Sequence, residues 1–416
     1  MRTLTHRLLG HRIGTRWAWA ALSAAGACLA TLAWATPAAA AADRHASPHG
    51  SGTACTEVAP CSLEVAIGGA PEGARVLVHG ETGFYAPSSS ITTTKAISVI
   101  GIGGSPMIAF SAGGLSLAGG SIKNVTIQGH GPAPALTLKG GADGSQLDIR
   151  AYGTGHACAA LRGTVLKNVL CMVDGAGGRA LEVKGAVTLR NVTLFGGTEA
   201  ALSVVGSASC RCERFTVTIV NSIIWAPSST DIAITTKAPD VTVKPTHSSF
   251  RTVSKAGGGG DIRVVSSTTN QTKAGKRPIF IAAANLRAAK GSPVINAGTD
   301  ASASGPRDLD SRPRKAGGRT DIGAYEYSPP DTTITSGPSG MVTDGIEVMF
   351  AFSASRPSSH FSCRSDAREW VACSSPWSPW YPGYGAGTHT FSVQARDRLG
   401  YVDPTPASRT YTEAAP

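Results

Sequence analysis

The sequence predicts an all-β protein, a parallel solenoid followed by a small antiparallel sandwich. Three observations carry that reading: a high Gly and Pro content, an internal repeat near 22 residues, and a change of pattern after residue 327. Glycine and proline supply 75 of the 416 residues, while aromatics make up 6% and charges 16%. Glycine at that density interrupts long helices. The absence of a three-residue period excludes collagen. A hydrophobic share of 42% argues against wholesale disorder.

In chain order, residues 1–42 read as a secretory signal. Arg2, Arg7, Arg12 and Arg16 come without an acidic residue, Trp17 to Ala35 is uncharged, and Ala38 to Ala42 offer cleavage sites. Cleavage takes Cys28 and leaves eight of the nine cysteines, an even number that favours disulfides outside the cell. No later segment is long and apolar enough to span a bilayer. The mature protein is therefore expected to be secreted. Residues 43–54 read as a linker. Ser62 is placed to cap a short helix whose Leu63, Ala66 and Ile67 form an apolar stripe, a lid for the open end of a solenoid. Cys55 and Cys61 flank the approach to it and are expected to pair.

Two strand columns follow. In one, Asn124, Asn168, Asn191 and Asn221 share a place that Gln146 also fills, with steps of 22, 22, 23 and 30 from 124. In the other, Leu115, Leu136, Leu161, Leu181 and Leu202 recur at steps of 21, 25, 20 and 21. Both alternate apolar and polar residues, so each buries one face. Columns advancing together describe rungs stacked at about 4.8 Å with parallel strands. Asn tolerates left-handed backbone, and its stacked amides are expected to bond from rung to rung. That column also accounts for the Asn-x-Thr sequons at Asn124 and Asn191, because Asn168 and Gln146 share it without one. From about Cys55 to Thr252 the pattern resembles the right-handed parallel β-helix of the pectate-lyase-like superfamily, a likeness of fold and not of function.

Gly291-Ser-Pro-Val-Ile-Asn296-Ala-Gly298, Asp308-Leu-Asp310-Ser-Arg312-Pro and Asp321-Ile-Gly-Ala-Tyr-Glu-Tyr327 resemble the closing signature of the choice-of-anchor Q family. Asn296 stands where that pattern usually has Asp. The resemblance implies an extracellular or surface location and no particular activity. The β-helix with its cap and closing segment is thus placed at 55–327. Residues 328–416 alternate as strands around Val348–Phe352, His360–Cys363, Thr388–Ala395 and Ser408–Tyr411, the pattern of a small sandwich. This part resembles bacterial Ig-like or fibronectin-like repeats that begin Asp-Thr-Thr-Ile, here from Asp331. The resemblance implies that Cys363 pairs with Cys373.

Cys158, Cys171, Cys210 and Cys212 allow three connectivities. Cys171 falls on an inward strand position, where a buried free thiol also fits. His156-Ala-Cys158 with Cys210-Arg-Cys212 lacks standard zinc spacing, so no metal or cofactor is assigned.

Enzymes of the resembled superfamily act on acidic polysaccharides. A lyase needs carboxylates for Ca²⁺ and a base, and a hydrolase needs two flanking carboxylates. The outward positions read Thr126, Asp148, Leu170 and Thr193 in the Asn column. In the other column they read Ser116, Thr137, Arg162, Glu182 and Ser203, with Arg162 and Glu182 expected as a cross-strand pair. Gly129-His130-Gly131 reads as a turn. Asp308, Asp310 and Asp321, the densest acidic group, belong to the closing signature and read as carboxylates that either bond turns or hold a structural cation. No catalytic residue is assigned.

Charge points instead to binding. Residues 43–327 hold 28 Lys and Arg against 19 Asp and Glu, whereas 328–416 hold 6 against 8. Lys123, Lys167 and Arg190 precede the Asn column, and Lys139 and Lys184 end strands of the other. Like charges in register repel unless solvated or matched by an anion. The face is therefore expected to take an acidic glycan or cell-envelope polymer. Trp370, Trp377 and Trp380 fall within eleven residues and make either a sugar platform or the core of the sandwich. Nucleic acid is not favoured, since no aromatics interleave the charges. The alternative function is a polysaccharide lyase or glycoside hydrolase.

Overall fold

The computed structural model describes residues 42–415 except Thr82, Thr154, Ala176, 207–213, Ala238, 301–302, 344–345, Ser358 and 380–384. Residues 1–41, nearly all of the segment 1–42 read from the sequence as a secretory signal, lie outside the described residues, as do Cys210, Cys212 and Trp380.

Two sheets wind together as a parallel β-helix of about eight turns. The long strands Gly120–Gly129, Asp143–Tyr152, Val165–Asp174 and Val187–Gly196 stack in parallel register. Each bends at its polar column residue: Asn124, Gln146, Asn168 and Asn191 have φ between 51° and 57°. A left-handed residue inside a strand turns the chain, and Asn tolerates this because its short polar side chain bonds locally. Each long strand therefore forms two legs of a rung. The third leg is the second sheet, which runs through Leu115–Ala118, Leu136–Lys139, Cys158–Leu161, Arg179–Lys184 and Ala200–Gly206. Asn221 and His247, at φ 51° and 47°, carry the corner into later rungs. The turn glycines are equally constrained. Gly196 has φ +85°, and a Cβ there would sit 2.1 Å from the Val173 carbonyl oxygen.

One rung sits differently from the sequence expectation. Cys158, not Leu161, stands opposite Leu136 and Leu181. Cysteine packs as a small apolar residue, and with it the column steps become even. The inward ladder of Ile122, Leu166, Leu189, Val125, Leu147, Val169 and Val192 forms one continuous core with the second sheet. Cys158 and Cys171 are bonded across it, which excludes the free thiol at Cys171. The N-terminal end is closed by helix Leu63–Gly68. Its Ser62 cap accepts from the Val65 amide, and Leu63, Ala66 and Ile67 are buried. Cys55 is bonded to Cys61 beside it.

The segment after the last rung does more than close the far end. Its hairpin, Phe280–Ala282 and Asn285–Ala288, and the irregular chain beyond return along the second leg. Leu170 and Met172 pack on Leu286, Ala324 and Tyr325. Ile223 and Trp225 pack on Ala288, Val294 and Ile322. The outward Leu170 and Thr193 are thus buried, each at 1% exposure. A large apolar side chain covered in this way contributes about 1.5–3 kcal/mol, so the outer face is a second core and not an open surface.

The C-terminal region is antiparallel in the main. A five-stranded sheet holds Met341–Val342, Ala407–Glu413, Gly387–Arg396, His360–Ser365 and Val371–Cys373, and a second sheet pairs Thr332–Ser336 with Ala351–Ala354. Phe350, Phe352, Phe391, Val393 and Tyr411 fill the sandwich-like core, and Cys363 is bonded to Cys373. Among the described residues, no helix is long and apolar enough to cross a membrane.

Candidate functional site: a basic cleft at the asparagine corner

The corner amides do not form a side-chain stack, contrary to the sequence expectation. Asn124 donates to the Gly101 carbonyl of the preceding rung. The later amides turn outward and hold the closing segment. Asn168 Nδ2 donates to the Ser304 and Arg307 carbonyls, both at 2.8 Å, and its Oδ1 accepts from Arg314. Asn191 donates to the Asp321 and Gly323 carbonyls. Asn221 exchanges two 2.8 Å bonds with the backbone of Thr299. Buried backbone carbonyls require such partners, so the ladder is a seam between the β-helix and its closing strap.

That seam is backed by buried charge. Asp308 accepts from the Arg312 and Glu326 amides, Asp321 from the Asn296 and Tyr327 amides, and Glu326 from the Ala316 and Asp321 amides. Asp308 and Asp321 therefore bond turn amides, one of the two roles open from the sequence. Arg314 lies among them, 3.8 Å from Glu326. Burial pushes Asp308 and Asp321 up to about 6. Burial, with Asp321 nearby, pushes Glu326 up to about 8. Asp310 is held separately by Arg287.

The strap leaves a cleft of about 310 Å³ against the rungs. Lys123, Lys167 and Arg307 line it together with Ser145, Gln146, Asn168 and Ser304. Lys123 stands opposite Ser145, and Ser145 opposite Lys167. The two lysines are thus two rungs apart, roughly 9–10 Å along the stack. Among the described residues neither lysine has a hydrogen bond or ion pair. Arg307 spends one guanidinium nitrogen on the Ser311 carbonyl. Among the described residues no carboxylate lines it. Three cations with polar amide and hydroxyl neighbours make a site that favours anions.

The remaining sequence candidates fall elsewhere. Arg190 is in register with Lys167 but is half-buried and already engaged. Lys139 is exposed on the second sheet. Lys184 pairs with Glu182, which also binds Arg179. Burial works to raise the Glu182 carboxyl, but Lys184 and Arg179 outweigh it and hold it low. The expected Arg162–Glu182 pair is therefore absent, because the shifted rung sets Ala159 opposite Glu182. Trp377 stacks on Phe391 with ring centres 5.5 Å apart and belongs to the sandwich core. Trp370 is half-buried beneath the Arg364 guanidinium. His130 stacks on Tyr152.

The carboxylates that an enzyme would need are not gathered at the cleft. Asp148 is bound bidentately by Arg150 at 2.9 and 3.0 Å. It faces Leu170 across the rungs, whereas Asp174 faces Tyr152, four residues further on. That places them about 13 Å apart along the strand direction. A larger cavity, about 350 Å³, lies between Tyr327, Tyr401, Pro404 and Ile281. Its walls are mostly apolar, and its Lys290 is bonded to the Pro404 carbonyl. The unpaired charge therefore favours the smaller cleft. Sequence reasoning found Lys123 and Lys167 from their register. It missed Arg307, whose basic side chain reaches the site only through the fold-back of the strap.

These features define a parallel β-helix whose closing strap builds a basic cleft on one corner. Comparison with protein-family models and with curated proteins finds no match for this chain.

Proposed function

We propose that the protein is secreted and binds an acidic glycan or cell-envelope polymer in the cleft between Lys123, Lys167 and Arg307. The observation that carries this reading is three cations around one cleft with no carboxylate among its described lining residues. A polyanion with charges spaced along its chain matches cations set two rungs apart. The three disulfides among the described residues fit an oxidising, extracellular compartment. On this reading the β-helix is of the pectate-lyase-like kind closed by a choice-of-anchor Q type segment. The Ig-like C-terminal region then serves as spacer or adhesion unit.

The test is retention on an immobilised polyuronate at rising salt. Exposed ion pairs contribute about 0.2–1 kcal/mol each. The triple variant Lys123→Ser, Lys167→Ser, Arg307→Ser is thus expected to bind roughly three- to a hundredfold more weakly and to lose most of its salt sensitivity. Unchanged retention would mean the cations are only solvated surface. The same incubation reads out the alternative. Unsaturated or shortened products would make the protein a lyase or hydrolase and displace the binding reading.

A further inference from the structure

A second basic crevice, of about 220 Å³, lies where the closing strap meets the C-terminal sandwich, lined by Arg312, Arg356, Pro357, Asp397 and Arg398. Three guanidinium groups face one carboxylate. That carboxylate is fully engaged: Asp397 accepts from the Leu399 and Tyr401 amides and from Arg312. Arg312 is held in place by its second bond, to the Ser328 carbonyl. Arg356 reaches the Ser328 hydroxyl, while its Nε is buried and has no hydrogen-bond partner among the described residues. Arg398 is exposed and likewise has no partner there. Two positive charges are therefore left over in a pocket whose backbone is fixed by the Asp397 turn.

We infer that this crevice binds a tetrahedral oxyanion, a phosphate or sulfate group, independently of the cleft at Lys123. Guanidinium groups offer paired N–H donors in a planar fork that matches oxyanion edges. A group with several acceptor oxygens can bond the Arg356 and Arg398 guanidinium groups together, which a single carboxylate oxygen does not. Since Arg312 belongs to the strap and Arg356 and Arg398 to the sandwich, the bound group would also tie the two together.

Calorimetric titration of the whole protein with inorganic phosphate and inorganic sulfate, against chloride at matched ionic strength, tests this. Saturable binding of either oxyanion is expected. Arg356→Gln and Arg398→Gln are each expected to weaken it tenfold or more. Arg307→Ser, which alters the other cleft, should leave unchanged the part of the binding that Arg398→Gln weakens. Arg398 is on the surface, so its variant reports on the site even if Arg356→Gln perturbs folding. A sulfated oligosaccharide binding more tightly than sulfate places the group on a polymer, and equal binding places it as the free ion; both retain the site. No binding beyond chloride, or binding untouched by Arg398→Gln, would overturn the inference. Polyuronate retention that fails while phosphate binding persists separates this site from the proposed function.

Discussion

Asn168 does three things at one corner. Its backbone adopts φ 54°, its amide donates twice to the strap, and its oxygen accepts from buried Arg314. Removing such a group takes a donor from two strap carbonyls and one of the bonds of the Arg314 guanidinium, which keeps those to Gly323 and Ala324, and a buried polar group that loses its partner costs about 1–3 kcal/mol. Asn168→Ala is therefore expected to lower stability by about 2–4 kcal/mol in urea unfolding. Asn124 has nearly the same backbone angle, and among the described residues its amide bonds the Gly101 and Gly104 carbonyls and not the strap. Asn124→Ala should cost about 1–2 kcal/mol, mainly the left-handed penalty. Asn168→Gly removes that penalty but not the orphaned partners, so it should recover only part of the loss. Equal losses at 124 and 168 would show that the seam contributes nothing beyond backbone geometry. The buried amides at 168 and 191 also explain why a shared column, and not a sequon, is the useful description of these residues.

The closing strap is the element whose behaviour depends most on pH. Asp308, Asp321 and Glu326 titrate in the folded state above the ordinary carboxylate range. A raised acid pKa means that the folded state holds protons which the unfolded chain has released. Their contribution is complete below about pH 4 and is lost as pH rises through about 6 for the two aspartates and about 8 for Glu326. Stability is thus expected to fall between pH 5 and 8. Glu326→Gln should flatten the part between 6 and 8 and reduce the slope below 6, where only Asp308 and Asp321 still contribute. Denaturation midpoints that rise with pH across this window would contradict the assignment. The strap also marks where sequence reading ends. Periodicity revealed the rungs because alternation and the Asn spacing are local. One rung was misplaced because Cys158 was counted as a pairing residue and not as an apolar one. The fold-back was not legible, since Arg307 and Lys167 are distant in sequence and no local pattern records their meeting. Outward Leu170, Ile223 and Trp225 were the available sign that something covers that face.

At the scale of the whole molecule, the strap and the sandwich share specific ties. Arg312 pairs with Asp397 at 11% and 2% side-chain exposure. Asn285 donates to the Leu399 carbonyl, and the Tyr401 hydroxyl donates to that of Glu326. Tyr401 is itself buried against Tyr327, edge to face. A surface ion pair would contribute little, but removing one partner of a buried pair costs about 3–5 kcal/mol because the other is left uncompensated. The Asp397 turn keeps its own amide donors, so the cost of losing Arg312 falls on the junction and not on the sandwich fold. The β-helix and the C-terminal region are accordingly expected to unfold in a single calorimetric transition. The double variant Arg312→Ala, Asn285→Ala should split it into two, the sandwich melting first because its core is much the smaller. It should do so without changing polyuronate retention, since Lys123, Lys167 and Arg307 all lie on the β-helix side. Two transitions already present in the unaltered protein would show that these ties do not couple the regions. A variant that melts as one unit would place the coupling in the apolar contacts around Tyr327 and Tyr401 instead.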